Sequence, residues 1–355
     1  MEALVAKLYG PGDVRYEYET LPAVGDDDML IKMVSVGLCH SEMPQYVGQG
    51  GVAVCTKGYK HAIAEAEYPM GMGHEAIAEV VEVGKNIKRF RIGDKVSGRM
   101  PGCLRTYAVI PKADIPVASA MLFKIPDGVE NYKDCLSEPL ECVVNIVKAS
   151  SCKVGERIAV VGCGFMGALT IAGLKNCGAS QLTAIDIKPE NIKLAMELGA
   201  TDCIDLNKYS SLEDRAYEIT EGNFYDVVLE FTGSIRGLEE AMEIVRPTHD
   251  NAIHTDPYRG NAKIILPSVY SRGEAFPVGL GLNMMLRTPI MHVVHPMYDI
   301  DLCRNHVDAI KKFVSGELPI GRMITHHLPF SEVKKGYEWL KKAPDGFIKG
   351  VIDFE

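Results

Sequence analysis

Hydrophobic positions in the first 149 residues come in short runs cut by glycine and proline, as at 29–36, 76–83 and 107–110. Runs of this length bounded by turn residues predict strands, and the opening run 1–7 predicts another. Beyond residue 156 the rhythm changes. Apolar runs at 158–161, 182–185 and 226–229 alternate with longer stretches of helical spacing, the order of strand–helix–strand units around a parallel sheet. A helix is predicted over 302–314 and a last strand within 346–354. The pattern therefore predicts an α/β protein with a β-rich first part, 1–149, a parallel-sheet part, 150–296, and a tail, 297–355. No internal repeat interrupts this order.

The first run of the parallel-sheet part leads into Gly162-Cys163-Gly164-Phe165-Met166-Gly167, followed by a helix predicted over 168–176. Glycine suits each position of such a turn: the first for its tightness, the second for close approach of a pyrophosphate, the third for helix–strand packing. A helix N-terminus then faces the phosphates with its positive dipole end. The next strand ends at Asp186, about 20 residues on, where a carboxylate accepts ribose hydroxyls and repels a 2′-phosphate, favouring NAD over NADP. Phe165, Met166 and Thr232 complete the candidate cofactor-binding residues.

Length and charge narrow the field. A chain of 355 residues exceeds what one core usually organises, and 47% hydrophobic with 24% charged residues is ordinary for a globular protein. A net charge of -9 without a dense basic tract argues against nucleic acid as a partner. No window reaches the roughly 18 consecutive apolar residues of a membrane span, and the N-terminal run lacks the form of a secretory signal. Ten cysteines, none in a C-x-x-C pair, suggest mostly buried thiols in a reducing cytoplasm.

Cys39 closes one strand run within Gly37-Leu38-Cys39-His40-Ser41-Glu42, and Gly73-His74-Glu75 opens another. Thiolate, imidazole and carboxylate together suit zinc, and a catalytic zinc keeps one position open. By themselves these segments equally describe a buried cysteine and a core histidine.

With Cys39-His40-Ser41, Gly73-His74-Glu75, Ser137-Glu138-Pro139-Leu140 and the glycine turn in this order, the chain resembles the zinc-containing medium-chain dehydrogenase/reductase family over nearly its whole length. The Glu-Pro-Leu segment resembles that of the polyol and sugar dehydrogenase branch. The resemblance implies a discontinuous GroES-like catalytic domain and a doubly wound Rossmann domain, with the active site and nicotinamide in the cleft. It also implies Cys39 and His74 as zinc ligands, with Glu138 and Glu75 as the third ligand or its exchange partner. Ser41 is then the hydroxyl that meets the alcohol oxygen, and Glu42 is a candidate for orienting His74 or an ordinary surface glutamate. A homodimer or tetramer follows from the same resemblance.

Departures from the family pattern carry their own expectations. The stretch 96–107 is too short for a four-cysteine structural zinc lobe and holds only Cys103, so one catalytic zinc per subunit is expected. Pro44 stands where ordinary alcohol dehydrogenases place a relay histidine, so the proton must leave Ser41 by another path. The segments 46–68 and 248–260 look long for the family. In the first, Lys57, Tyr59, Lys60 and His61 could meet a hydroxyl-rich or anionic substrate, or simply face water. The expected activity is hydride transfer between NAD(H) and the carbinol or carbonyl carbon of a small polar alcohol, such as a polyol, cyclitol, sugar or sugar acid. The alternatives are a zinc-free quinone or enoyl reductase and a non-catalytic dinucleotide-binding protein.

Overall fold

The computed structural model describes residues 1–49, 67–116, 120–247, 260–268, 278–295 and 299–355. Lys57, Tyr59, Lys60 and His61, and most of 248–260, lie outside the described residues. Two units divide the chain: Met1–Leu140 with His306–Val314 and Ile320–Glu355, and Glu141–Asn305 with Ser315–Pro319.

Among the described residues, the first unit carries two sheets. In the smaller, Glu2–Leu8 pairs antiparallel with Val14–Thr20 and with Met70–Gly71. Val14–Thr20 is largely exposed and rich in charge, as suits an edge strand that must not recruit another chain. The larger sheet runs in the order Ile324–Pro329, Lys349–Asp353, Met29–Gly37, Glu75–Val83, Lys95–Arg99, Met121–Lys124, and Tyr107–Ile110 also pairs with Met29–Gly37. Its core gathers Met29, Ile31, Met33, Val36, Ala76, Ala78 and Val80 from the two central strands. The final strand is shorter than its apolar run, beginning at Lys349, because Phe347 N–H donates to Pro344 O in a turn that precedes it.

Among the described residues, the second unit is organised on six parallel strands. Across the sheet they lie in the order Asp202–Asp205, Gln181–Asp186, Arg157–Val161, Val227–Glu230, Lys263–Leu266, Ile290–Val293. In chain order this is third, second, first, fourth, fifth, sixth, the arrangement of a Rossmann domain. Strands covered on both faces read as continuous apolar runs, and Ile158, Ala159, Val160, Val227, Val228 and Leu229 are fully buried. The helix expected over 168–176 instead spans Phe165–Leu174, because Gly164 adopts extended geometry at its N-cap and the first turn starts inside the glycine motif.

No helix among the described residues is long and apolar enough to cross a membrane.

Candidate active site

Three neighbouring strands of the larger sheet build the first candidate centre. Gly37 ends Met29–Gly37, with Val351 of Lys349–Asp353 opposite it on one side and Glu75 of Glu75–Val83 on the other. A Cβ at Gly37 would lie 1.8 Å from Glu75 Oε2, so only glycine leaves space for that carboxylate. Through this opening Lys349 reaches across the middle strand: its Nζ lies 2.7 Å from the Glu75 carboxylate and donates to Leu38 O at 2.9 Å. Both side chains are almost wholly buried, at 5% and 1% exposure. Burial disfavours the Lys349 ammonium, but Glu75 and the Cys39 charge more than offset it and hold its pKa above the ordinary lysine value.

Beyond Gly37 the chain turns through Leu38 and Cys39 into the short turn His40–Glu42 and the helix Met43–Tyr46. Pro44 sits in the first turn of that helix, where its missing N–H is no loss. Cys39 Sγ, a His74 ring nitrogen and a Glu75 oxygen all lie within 4.8 Å of one another and could hold a metal ion. Ser41 Oγ donates to Cys39 Sγ at 3.2 Å from an exposed position. Glu138 enters from the first turn of Ser137–Ser150, where an acid is favourable and Pro139 follows. That turn is anchored by Ser137 N–H donating to Ser97 Oγ at 2.9 Å, and Glu138 Oε1 comes 3.8 Å from His74 Nε2.

His74 is oriented from behind. Its Nδ1 lies 2.9 Å from Glu42 Oε1, and Tyr337 O–H donates to Glu42 Oε2. With Nδ1 engaged by a carboxylate, Nε2 remains as the nitrogen for a ligand, the usual carboxylate–histidine arrangement behind a metal.

The electrostatics of the cluster call for a cation. Cys39, Glu42, Glu75 and Glu138 face Lys349 and His74, with the charge of Arg99 also reaching Glu138. Burial disfavours the His74 imidazolium, yet the Glu42 and Cys39 charges raise its pKa well above the histidine norm. Burial also raises the Glu138 carboxyl, assisted by Glu75 and opposed by His74 and Lys349. The donor set, one thiolate, one imidazole and carboxylates, fits zinc.

The second candidate centre is the turn at 162–167. A Cβ on Gly167 would come 2.0 Å from Gly162 O, whereas a Cβ on Gly164 would meet nothing within 4 Å. The helix Phe165–Leu174 thus packs tightly on its turn while its N-cap leaves open space of the kind a phosphate fills. Asp186, 7% exposed, accepts hydrogen bonds from Cys163 N–H at 2.7 Å, Lys188 N–H at 2.7 Å and Asn191 Nδ2 at 3.2 Å. A carboxylate offers about four acceptor sites, so roughly one remains for a ligand hydroxyl. Thr232 N–H and Oγ1 are both bonded to Glu230 Oε1 at 2.5 Å.

Residues 25–119 match the alcohol dehydrogenase GroES-like domain family, and residues 166–252 match the zinc-binding dehydrogenase family. The chain is 30% identical to (R,R)-butanediol dehydrogenase of Bacillus subtilis over 258 residues, covering 67% of this chain and 73% of that one. It belongs to the zinc-containing medium-chain alcohol and polyol dehydrogenases. Sorbitol dehydrogenase of Rattus norvegicus is 26% identical over 371 aligned residues, covering 96% of this chain and 94% of its own. The crystal structure of 2R,3R-butanediol dehydrogenase from Bacillus subtilis shares the fold with a TM-score of 0.78 at 22% identity, covering 99% of each chain. This dehydrogenase is therefore an oxidoreductase of alcohols, with the GroES-like and Rossmann folds expected from its motifs.

The structure of this dehydrogenase brings Cys39, His74, Glu75 and Glu138 together with Ser41 at their edge, and gathers Gly162, Gly164, Phe165, Met166 and Gly167 at one strand–helix turn. Sequence reasoning gave no role to Lys349, Tyr337 or Gly37. The first had a visible signal: a single lysine inside the apolar run that forms Lys349–Asp353, whose first four residues are all buried. Tyr337 is fully buried in the helix Val333–Lys342 and looks in sequence like any core aromatic.

Proposed function

We propose that this dehydrogenase moves hydride between NAD(H) and the carbinol carbon of a small, hydroxyl-rich alcohol, using one catalytic zinc per subunit and no structural zinc. The observation that carries the reading is the convergence of Cys39, His74 and Glu75 within 4.8 Å, with Glu138 beside them and Glu42 behind His74. Cys39, His74 and Glu138 would hold the ion at rest, because Glu75 is already bonded to Lys349; Glu75 is then the exchange partner. Zinc would supply Lewis acidity toward an alcohol or carbonyl oxygen, and the nicotinamide would carry the hydride.

The chain's own residues do the remaining work. Glu42 fixes the histidine ring so that Nε2 faces the donor cluster. Ser41, exposed and 3.2 Å from Cys39 Sγ, accepts the proton of a substrate hydroxyl and passes it to water, since Pro44 offers no relay. Gly164 and the N-terminus of Phe165–Leu174 receive the pyrophosphate. Asp186, the acidic residue that ends the second strand of the sheet, supports NAD over NADP, since a carboxylate accepts ribose hydroxyls and repels a 2′-phosphate. A polyol or diol substrate is supported by the sorbitol and butanediol dehydrogenases among the relatives. A homodimer or tetramer in the cytoplasm completes the proposal.

The test is zinc content measured beside reduction of NAD and NADP across aliphatic alcohols, diols, polyols, cyclitols and sugar acids. The reading expects about one zinc per chain and the highest kcat/KM on a hydroxyl-rich substrate with NAD. Full turnover in a metal-free preparation would overturn it, as would a preference for simple aliphatic alcohols or for NADP.

A further inference from the structure

At the ends of the parallel strands opposite to the 162–167 turn, two loops lie against each other. One precedes Arg157–Val161 and the other precedes Gln181–Asp186. Gly155 N–H donates to Gly178 O at 2.8 Å and Ser180 N–H to Glu156 O at 2.9 Å, so the loops are joined before the sheet begins. Ser180 Oγ adds a bond to Gly155 O at 2.8 Å. At the start of this paired stretch Cys152 Sγ and Cys177 Sγ are 3.1 Å apart, each partly accessible to solvent. Neither thiol belongs to either candidate centre.

We propose that Cys152 and Cys177 are a redox couple that peroxide converts to an intramolecular disulfide, bracing the two loops. A disulfide needs the sulfurs at about 2.05 Å, so closure asks for a shift of roughly 1 Å in loops already held together by hydrogen bonds. The order of events follows from the two environments. Burial and the hydrogen bond to Cys177 push the Cys152 thiol up to about 12, so Cys152 is the poorer nucleophile of the two and peroxide is met first at Cys177. The Cys177 thiolate displaces hydroxide from hydrogen peroxide and becomes a sulfenic acid, the peroxide O–O bond breaking with two-electron oxidation of the sulfur. Cys152 then attacks that sulfur, its thiol proton leaves with the sulfenic hydroxyl as water, and the S–S bond forms. Lys263, whose Nζ donates to Ser150 O at 3.2 Å and Ser151 O at 3.4 Å, puts a positive charge near Cys152 that favours its departing proton.

A resolving thiol at contact distance outcompetes a second peroxide molecule, so the pair is protected from irreversible oxidation. The bond also closes a chain segment that contains Arg157–Val161, the glycine turn and Phe165–Leu174, which restricts the unfolded state.

The experiment treats the full-length, zinc-loaded protein with a slight excess of hydrogen peroxide, alkylates the remaining thiols and maps the peptides. The expected product is one reducible peptide pair joining Cys152 to Cys177, about 2 Da lighter than the sum of its reduced parts, with a higher thermal unfolding midpoint than the reduced protein. In Cys152→Ser, Cys177 should react with a sulfenic-acid-trapping dione and proceed to the sulfinic acid, while in wild type it should do neither. The crosslink readout in wild type does not depend on the variant folding. Both thiols staying alkylatable while the exposed Cys203 and Cys303 oxidise would overturn the proposal. So would Cys177 reaching the sulfinic acid as fast in wild type as in Cys152→Ser.

Discussion

The cluster around Cys39 and the turn at 162–167 handle charge in opposite ways. The first concentrates ionisable side chains from widely separated stretches of chain, 39–42, 74–75, 138, 337 and 349, in a largely buried cluster that Ser41 opens to solvent. The second uses backbone N–H groups and missing side chains from six consecutive residues, with the carboxylates of Asp186 and Glu230 beside the turn. Buried side-chain charges are costly unless each is paired, so the first site should be brittle to single substitutions. Backbone donors are fixed by the helix itself, so the second should tolerate change outside its glycines.

The largest expected effect falls on the proposed metal donors. Cys39→Ser or His74→Ala should remove zinc and lower kcat/KM by about a thousandfold or more, because too few ligands remain to hold the ion against water. Metal analysis of the purified variants checks this, and a variant that keeps both zinc and turnover would break the contrast.

Next comes the ion pair behind the site. Lys349→Met leaves Glu75 charged, buried and unpartnered by its lysine, and should cost about 3–5 kcal/mol in denaturant unfolding. Lys349→Arg, which keeps the charge, should recover part of that loss. Gly37→Ala should fall in the same direction, since its Cβ would overlap the Glu75 carboxylate at 1.8 Å. If Lys349→Met unfolds like wild type, the charge argument for this region is wrong.

A pH test extends the contrast to the same unit. His306 is 1% exposed, stacks on Phe123 at 4.8 Å and has Nδ1 3.4 Å from Ser137 Oγ, while its buried Nε2 has no hydrogen-bond partner among the described residues. Burial lowers its pKa from 6.5 to about 4. Because the folded value is depressed, the unfolded chain takes up the proton first. Stability linked to His306 is fully present above about pH 6.5, falls between there and pH 4, and is flat below. The loss amounts to about 3 kcal/mol across that window. Denaturant unfolding at several pH values should show the slope in wild type and its reduction in His306→Phe; parallel curves would remove the prediction.

The smallest effect is expected at the proposed nucleotide turn. Asp186→Ala should move the ratio of kcat/KM for NAD over NADP by about tenfold toward NADP, equivalent to about 1.4 kcal/mol. It should also loosen the turn, since Cys163 and Lys188 N–H lose their acceptor. An unchanged ratio would mean that Asp186 serves the loop and not the cofactor.

Much of the Rossmann unit was legible before any fold was known. Its strands are buried on both faces, so hydrophobicity alone marks 158–161, 182–185 and 227–229, and its candidate cofactor turn is contiguous. The predicted helix start was late by three residues because nothing local distinguishes a glycine in the turn from a glycine at the N-cap. Of the cluster around Cys39, sequence showed the donors and one ambiguous helper, Glu42, whose contact with His74 at 2.9 Å only folding reveals.

What the sequence determined by itself is everything set by local periodicity and adjacent residues: the α/β class, the glycine turn, the acid ending the next strand and the residue types suited to zinc. What tertiary structure alone decided is which distant charges face one another. Lys349 meets Glu75 only because Lys349–Asp353 and Glu75–Val83 flank the same strand and Gly37 leaves the way between them open. Sheet order and register are properties of the whole chain, and no window of residues along it encodes the energy of a buried ion pair formed across two strands.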